Sequence, residues 1–107
     1  MNHLTPAELA GWLGDTTRAA PMLLDVREAW EFETCHIPGS HWMAMNSIPA
    51  RLAELDELAT IVCICHHGAR SMQVAGFLER QGFGNLFNLS GGIHRWAQEV
   101  DVNMPTY

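Results

Sequence analysis

Thr60-Ile61-Val62-Cys63-Ile64-Cys65-His66-His67-Gly68-Ala69-Arg70-Ser71-Met72 joins a β-branched apolar run to a helical pattern, through a turn carrying two histidines, a glycine and an arginine. The run Thr60 to Cys65 reads as a buried strand. Beyond the turn, Val74, Ala75 and Leu78 make the inner stripe of a helix from about Ser71 to Gln81, stopped by Gly82. Cys65 is the last strand residue before the polar turn. At such a junction backbone N–H groups converge and the helix dipole is positive, which favours an anion and so a thiolate.

Working outward, the same alternation of strand and helix continues on both sides. Thr5-Pro6-Ala7-Glu8 is a capping box with proline at the first helical position, so a helix runs to about Leu13 and stops at Gly14. Met22 to Val26 is a short apolar strand, and Arg27 to Thr34 a short helix ended before His36-Ile37-Pro38-Gly39. His41 to Met45 reads as a strand. Ser47 then caps a helix with Ile48, Leu52 and Leu55 on one face. Asn85 to Leu89 is a further strand, Ser90-Gly91-Gly92 a turn, and Ile93 to Val100 the last helix. Gly76, inside its helix, costs roughly 1 kcal/mol against alanine, which predicts that packing favours it. Strands alternating with helices imply an α/β fold with a parallel sheet covered on both faces, and ligands at the strands' carboxyl ends. Cys65 lies at one such end and Asp25-Val26-Arg27 at another.

The 107 residues have the length of a single domain, 1–107, and their 48% apolar and 17% charged content is that of a globular protein. No apolar run reaches the roughly 18 residues of a membrane helix. The first residues have no signal-peptide pattern, so a cytoplasmic protein without membrane association is expected. The net charge is −6 and the six cations are all arginines, scattered along the chain, so no basic stripe offers itself to nucleic acid.

Three cysteines without an export signal argue against a disulfide scaffold and for thiol chemistry. Cys63 and Cys65 cannot pair within a strand, because residues i and i+2 lie about 6.6 Å apart while disulfide Cβ atoms approach to about 3.8 Å. Cys63 reads as a small buried hydrophobe, Cys65 as the nucleophile. Arg70, at a helix start where the dipole disfavours a cation, points to an anion close by, either a ligand or a carboxylate such as Asp25. Cys65 to Arg70 is a C-x4-R loop, one residue shorter than the C-x5-R cradle of cysteine-dependent phosphatases, which disfavours a phosphoryl group. Cys63, Cys65, His66 and His67 lack the spacing of a zinc site, and the histidines are assigned polarity and partial positive charge at the cleft mouth, with no metal. Glu28, Glu31 and Glu33 read as a solvated face. Trp30 and Trp42 read as core or cleft wall, and His94 and Trp96 as architecture.

Three segments together resemble the rhodanese family of sulfurtransferases. Leu24-Asp25-Val26-Arg27-Glu28, Glu31-Phe32 and His36-Ile37-Pro38-Gly39-Ser40 resemble its first signature, and Cys65 to Ser71 its active-site loop. Gly82-Phe83, Asn88 to Ile93 and Trp96 resemble its C-terminal signature, so the likeness runs from about Leu23 to Trp96. The resemblance implies a rhodanese-like three-layer fold, with a five-stranded, mostly parallel sheet flanked by helices, and sulfur transfer without metal or organic cofactor. Cys65 would carry sulfur as a persulfide, and the backbone N–H groups of His66, His67, Gly68, Ala69, Arg70 and Ser71 would cradle the terminal sulfur. Arg70 would help bind an anionic donor such as thiosulfate, while Asp25 and Arg27 would support the loop. The acceptor would be cyanide or a thiol, small or on a partner protein. One departure stands out: Cys35 replaces the family's usual glycine before His36, which implies strain if φ is positive there, or a second thiol acting with Cys65 in redox chemistry or sulfur relay.

Overall fold

The computed structural model describes residues 1–107. Five strands form one wholly parallel sheet: β1 (Asn2–Leu4), β2 (Met22–Asp25), β3 (His41–Trp42), β4 (Ile61–Ile64) and β5 (Leu86–Leu89), in the order β1-β5-β4-β2-β3. Four helices cover it: α1 (Pro6–Leu13), α2 (Ala29–Thr34), α3 (Ala69–Arg80) and α4 (Gly92–Glu99). The alternation in β4 shows why a strand without polar residues belongs at the centre. Ile61 and Cys63, with Cys65 beyond the strand's end, pack against Val74, Ala75 and Leu78 of α3. Val62 and Ile64 pack on the other face against Leu9 and Trp12 of α1 and Ile93 and Trp96 of α4. The α/β architecture expected from the sequence is the one found.

Strand order reverses direction at β2 and β4, since β3 continues outward from β2 and β5 from β4. A crevice opens at the carboxyl ends of two such strands, and Cys65 and Asp25 both lie there.

Several elements differ from the sequence reading. The capping box holds, with Glu8 N–H donating to Thr5 Oγ1 at 3.1 Å and Thr5 N–H to Glu8 Oε1 at 2.9 Å. β1 was not foreseen: its three residues show no alternation and are fixed only by pairing with β5. β3 ends at Trp42 rather than Met45, although Met43 and Met45 still donate to the Asp25 and Val26 carbonyls. The helix expected after Ser47 is instead two 3₁₀ turns, Met45–Ser47 and Pro49–Glu54, interrupted at Arg51. Ser47 donates its hydroxyl to the Ala44 carbonyl instead of capping a helix, and the backbone bonds of Ile48, Arg51 and Leu55 each reach back three residues. Gly76 also departs from expectation, because a Cβ there would meet only the end of the Arg80 side chain, at an ordinary 3.6 Å.

Candidate active site

Cys65 follows β4 directly and is 1% exposed. Gly68 N–H donates to its sulfur at 3.0 Å, and the Ser71 hydroxyl stands 3.3 Å away on a donor path to the same atom. Gly68 makes this turn possible: its φ of 107° lies in the left-handed region, and it caps the amino end of α3. The first-turn amides of α3, from Ala69 to Ser71, have no partner within the helix. Ser71 is fully buried and held by Asn88, whose side-chain oxygen accepts its hydroxyl and whose amide donates to the Gly68 carbonyl at 3.2 Å.

The loop is fastened from beneath by α4. Ile93 N–H donates to the Cys65 carbonyl at 2.9 Å and His94 N–H to the His66 carbonyl at 3.0 Å. A Cβ on Gly92 would collide with both carbonyl oxygens, and the Gly92 φ of 59° independently favours glycine. The sequence explained the Gly91-Gly92 pair by the turn alone. The close approach of α4 to the thiol loop is a further requirement, visible only in three dimensions.

Arg70 has its anion, and it is Glu31 rather than Asp25. The guanidinium grips both carboxylate oxygens, Nη1 to Oε1 at 2.7 Å and Nη2 to Oε2 at 2.8 Å. The Tyr107 hydroxyl adds a third donor at 2.9 Å. Glu31 is therefore no solvated side chain like Glu28 and Glu33: it is buried, and its hydrogen bonds with Arg70 hold its pKa down to about 2. The same pairing holds the Arg70 guanidinium more firmly protonated than usual.

Asp25 is committed to Arg27, in a pair with both side chains 0% exposed. Burial works against the Arg27 charge, and hydrogen bonds with Asp25 and Tyr107 override it, so the net shift is upward. Arg27 also donates to the Cys35 carbonyl at 2.7 Å and to the Tyr107 oxygen at 2.9 Å. Neither Asp25 nor Arg27 hydrogen-bonds the Cys65 loop through its side chain. They connect to it only indirectly, through the intervening Val26 N–H bond to the Ile64 carbonyl, 2.9 Å, and through the chain of hydrogen bonds Arg27, Tyr107, Glu31 and Arg70. Burial pushes the Tyr107 phenol up to about 12. A cleft of about 320 Å³ opens beside this relay, with Val26, Arg27, Met45 and Arg70 in its wall.

The other sequence candidates separate clearly. Burial pushes the Cys63 thiol up to about 12, as suits an inert core residue. Cys35 is extended, with φ −165°, so cysteine meets no backbone strain there. It packs with Leu9, Trp12 and Ile37 on the sheet face opposite Cys65, and all three cysteines are free. The structure does not bring Cys35 and Cys65 together. His66 is half-buried and its pKa is lowered, by burial first and by neighbouring His67 second. His67 and Ala69 are exposed. Trp30 and Trp42 are surface residues rather than core, 53% and 39% exposed, with their indole N–H groups bonded to Glu28 and to the Arg27 carbonyl.

Sequence reasoning missed Glu31, Asn88 and Tyr107. The misplaced arginine signalled a missing carboxylate for the first, and a polar residue inside an apolar strand marked the second. Nothing local marked Tyr107.

An order-1-5-4-2-3 parallel sheet whose central strand delivers a buried cysteine to a helix amino end defines an α/β protein built around a loop thiol. The rhodanese-like domain model matches residues 5–99, and the chain belongs to that family of sulfurtransferases. It is 35% identical over 98 residues to a protein named sulfurtransferase from Allochromatium vinosum, covering 92% of this chain and 90% of that one. It is 36% identical over 75 residues to the thiosulfate sulfurtransferase GlpE of Pseudomonas savastanoi pv. phaseolicola, covering 70% of this chain and 71% of that one. A crystal structure of a Staphylococcus saprophyticus protein superposes with TM-score 0.85 at 34% identity, covering 94% of this chain and 97% of that one. Of two further relatives the chain spans only 30% and 26% of the length. No helix is long and apolar enough to cross a membrane.

Proposed function

We propose that this chain takes a sulfane sulfur onto Cys65 from thiosulfate or a related persulfide donor and passes it to cyanide or a thiol. The observation that supports this best is the Gly68 N–H donated to the Cys65 sulfur at the amino end of α3, with the Ser71 hydroxyl 3.3 Å from the same atom and able to turn its one proton from Asn88 to the sulfur. They can hold negative charge on a thiolate or, with the unpartnered first-turn amides, on a persulfide one sulfur longer. The thiolate attacks the outer sulfur of the donor. A bond forms between Cys65 and that sulfur as the donor's S–S bond breaks, and with thiosulfate the electron pair leaves on sulfite. The acceptor then attacks the terminal sulfur, the persulfide S–S bond breaks, and the Cys65 thiolate returns. This is covalent, ping-pong catalysis, with cradle and nucleophile supplied by one loop.

Arg70 enters as a conditional participant. Glu31 holds it, so an anionic donor must share the guanidinium with that carboxylate or be bound by the loop amides. The cleft beside Arg70 gives such a donor an approach.

The test is intact-protein mass after the reduced chain meets thiosulfate. A gain of about 32 Da, one sulfur, that cyanide removes and that Cys65→Ser abolishes is the expected result. A folded, fully reduced chain that gains no sulfur from thiosulfate or from a persulfide donor refutes the proposal.

A further inference from the structure

His66 and His67 leave β4 immediately after Cys65, and His94 stands in the first turn of α4. Because α4 is bonded to the Cys65 and His66 carbonyls, the three imidazoles are gathered at one place. Ring centroids are 4.1 Å apart for His66 and His67, 4.9 Å for His67 and His94, and 5.7 Å for His66 and His94. One ring nitrogen of each lies within 4.8 Å of those of the other two. A second observation stands beside this grouping. Nδ1 of His66 is buried and has no hydrogen-bond partner, a rare state for a buried polar atom.

We propose that His66, His67 and His94 form a binding site for a borderline divalent transition-metal ion such as Zn2+, with three imidazole ligands and a fourth position open to solvent. The chemistry of the set decides the ion. Three neutral nitrogens with no carboxylate suit zinc, nickel or copper and offer nothing to magnesium or calcium, which require oxygen. Zn–N bonds of about 2.0–2.1 Å in a tetrahedron put ligand nitrogens about 3.3 Å apart, so the rings must close by roughly 1.5 Å from their widest separation. His67 and His94 are exposed and can turn to do so. The Gln98 amide nitrogen lies 3.3 Å from His94 Nε2, one turn along α4; with the amide turned over, its oxygen would accept the Nε2 proton and leave Nδ1 for the metal, as outer partners of metal-binding histidines do. Cys65 is outside the set, its sulfur enclosed by Gly68 and Ser71. The bound ion would tie the loop after Cys65 to α4 through side chains as well as backbone. This site is independent of the sulfur-transfer reading and stands or falls separately.

The experiment is a calorimetric titration of the full chain carrying Cys65→Ser, which removes the loop thiol as a competing ligand while Cys35 and Cys63 stay buried. One Zn2+ per chain is expected, and no heat with Mg2+. In the same background His94→Gln and His67→Gln should each weaken Zn2+ by more than about a hundredfold, beyond the roughly 10–100-fold that loss of an outer partner costs. His41→Gln, on the edge strand β3, should leave the affinity unchanged. Both ring variants replace exposed side chains, so circular dichroism should report an intact fold. No Zn2+ binding overturns the proposal. So does binding that His94→Gln and His67→Gln leave unchanged, or that His41→Gln weakens equally.

Discussion

Two arginine–carboxylate pairs stand at the carboxyl end of the sheet, and they differ in what surrounds them. Asp25 and Arg27 are both 0% exposed and two residues apart in the chain, and beyond their mutual bonds their side chains reach only the Glu31 carbonyl, Cys35 and Tyr107. Glu31 and Arg70 come from different elements, and the Arg70 side chain is 36% exposed at the cleft. Tyr107 joins the two pairs, accepting from Arg27 and donating to Glu31. The sealed pair is architecture, because a charge with no path to water must keep its partner. The open pair can exchange partners, because water and a ligand can reach Arg70. Identical chemistry thus serves two purposes, separated by access to solvent.

Breaking the sealed pair should have the largest effect. Asp25→Ala leaves the Arg27 charge buried without its carboxylate and should cost about 3–5 kcal/mol in urea unfolding. A cost comparable to that of an exposed pair, below about 1 kcal/mol, would erase the distinction drawn here.

Acid should act on the open pair. The Glu31 pKa is depressed, from 4.5 when unpaired to about 2 in the folded chain, so its stabilisation is complete above pH 4.5 and lost as pH falls through about 2. Chemical denaturation from pH 5 downward should show that loss, and Glu31→Gln should flatten this part of the curve. An unchanged slope in the variant would assign the acid sensitivity to other groups.

Tyr107→Phe removes the hydroxyl that links the pairs and should cost roughly 0.5–1.5 kcal/mol. Coupling between Tyr107→Phe and Glu31→Gln in a double-mutant cycle is expected, and strict additivity would mean the link carries no energy. An effect of similar size is expected on donor binding if thiosulfate is the donor. Glu31→Gln keeps a hydrogen-bond acceptor but frees the Arg70 charge, and should lower the KM for thiosulfate about fivefold, the equivalent of roughly 1 kcal/mol, with kcat nearly unchanged. A higher KM would show instead that Glu31 positions Arg70 for the donor.

How far the sequence could be read depends on how local each signal is. α1 was legible in full because its cap, proline and stop lie within ten residues, Thr5 to Gly14. β4 and α3 were legible because a β-branched run and a helical stripe meet at one turn, and that same turn placed the cysteine. β1 was not legible, since three residues with no alternation become a strand only when β5 lies alongside. The segment after Ser47 was misread because a short apolar face fits a 3₁₀ turn as well as an α-helix, and backbone bonding decides between them.

By itself, then, the sequence determined the alternating α/β order, the central strand and the thiol at its end, because periodicity and capping act between near neighbours along the chain. Only the tertiary structure decided what meets that thiol's loop. Glu31 reaches Arg70 across 39 residues and Tyr107 reaches Glu31 across 76, while α4 brings His94 to His66 and His67. Such partners are chosen by the order in which strands lie side by side, and no stretch of neighbouring residues carries that order.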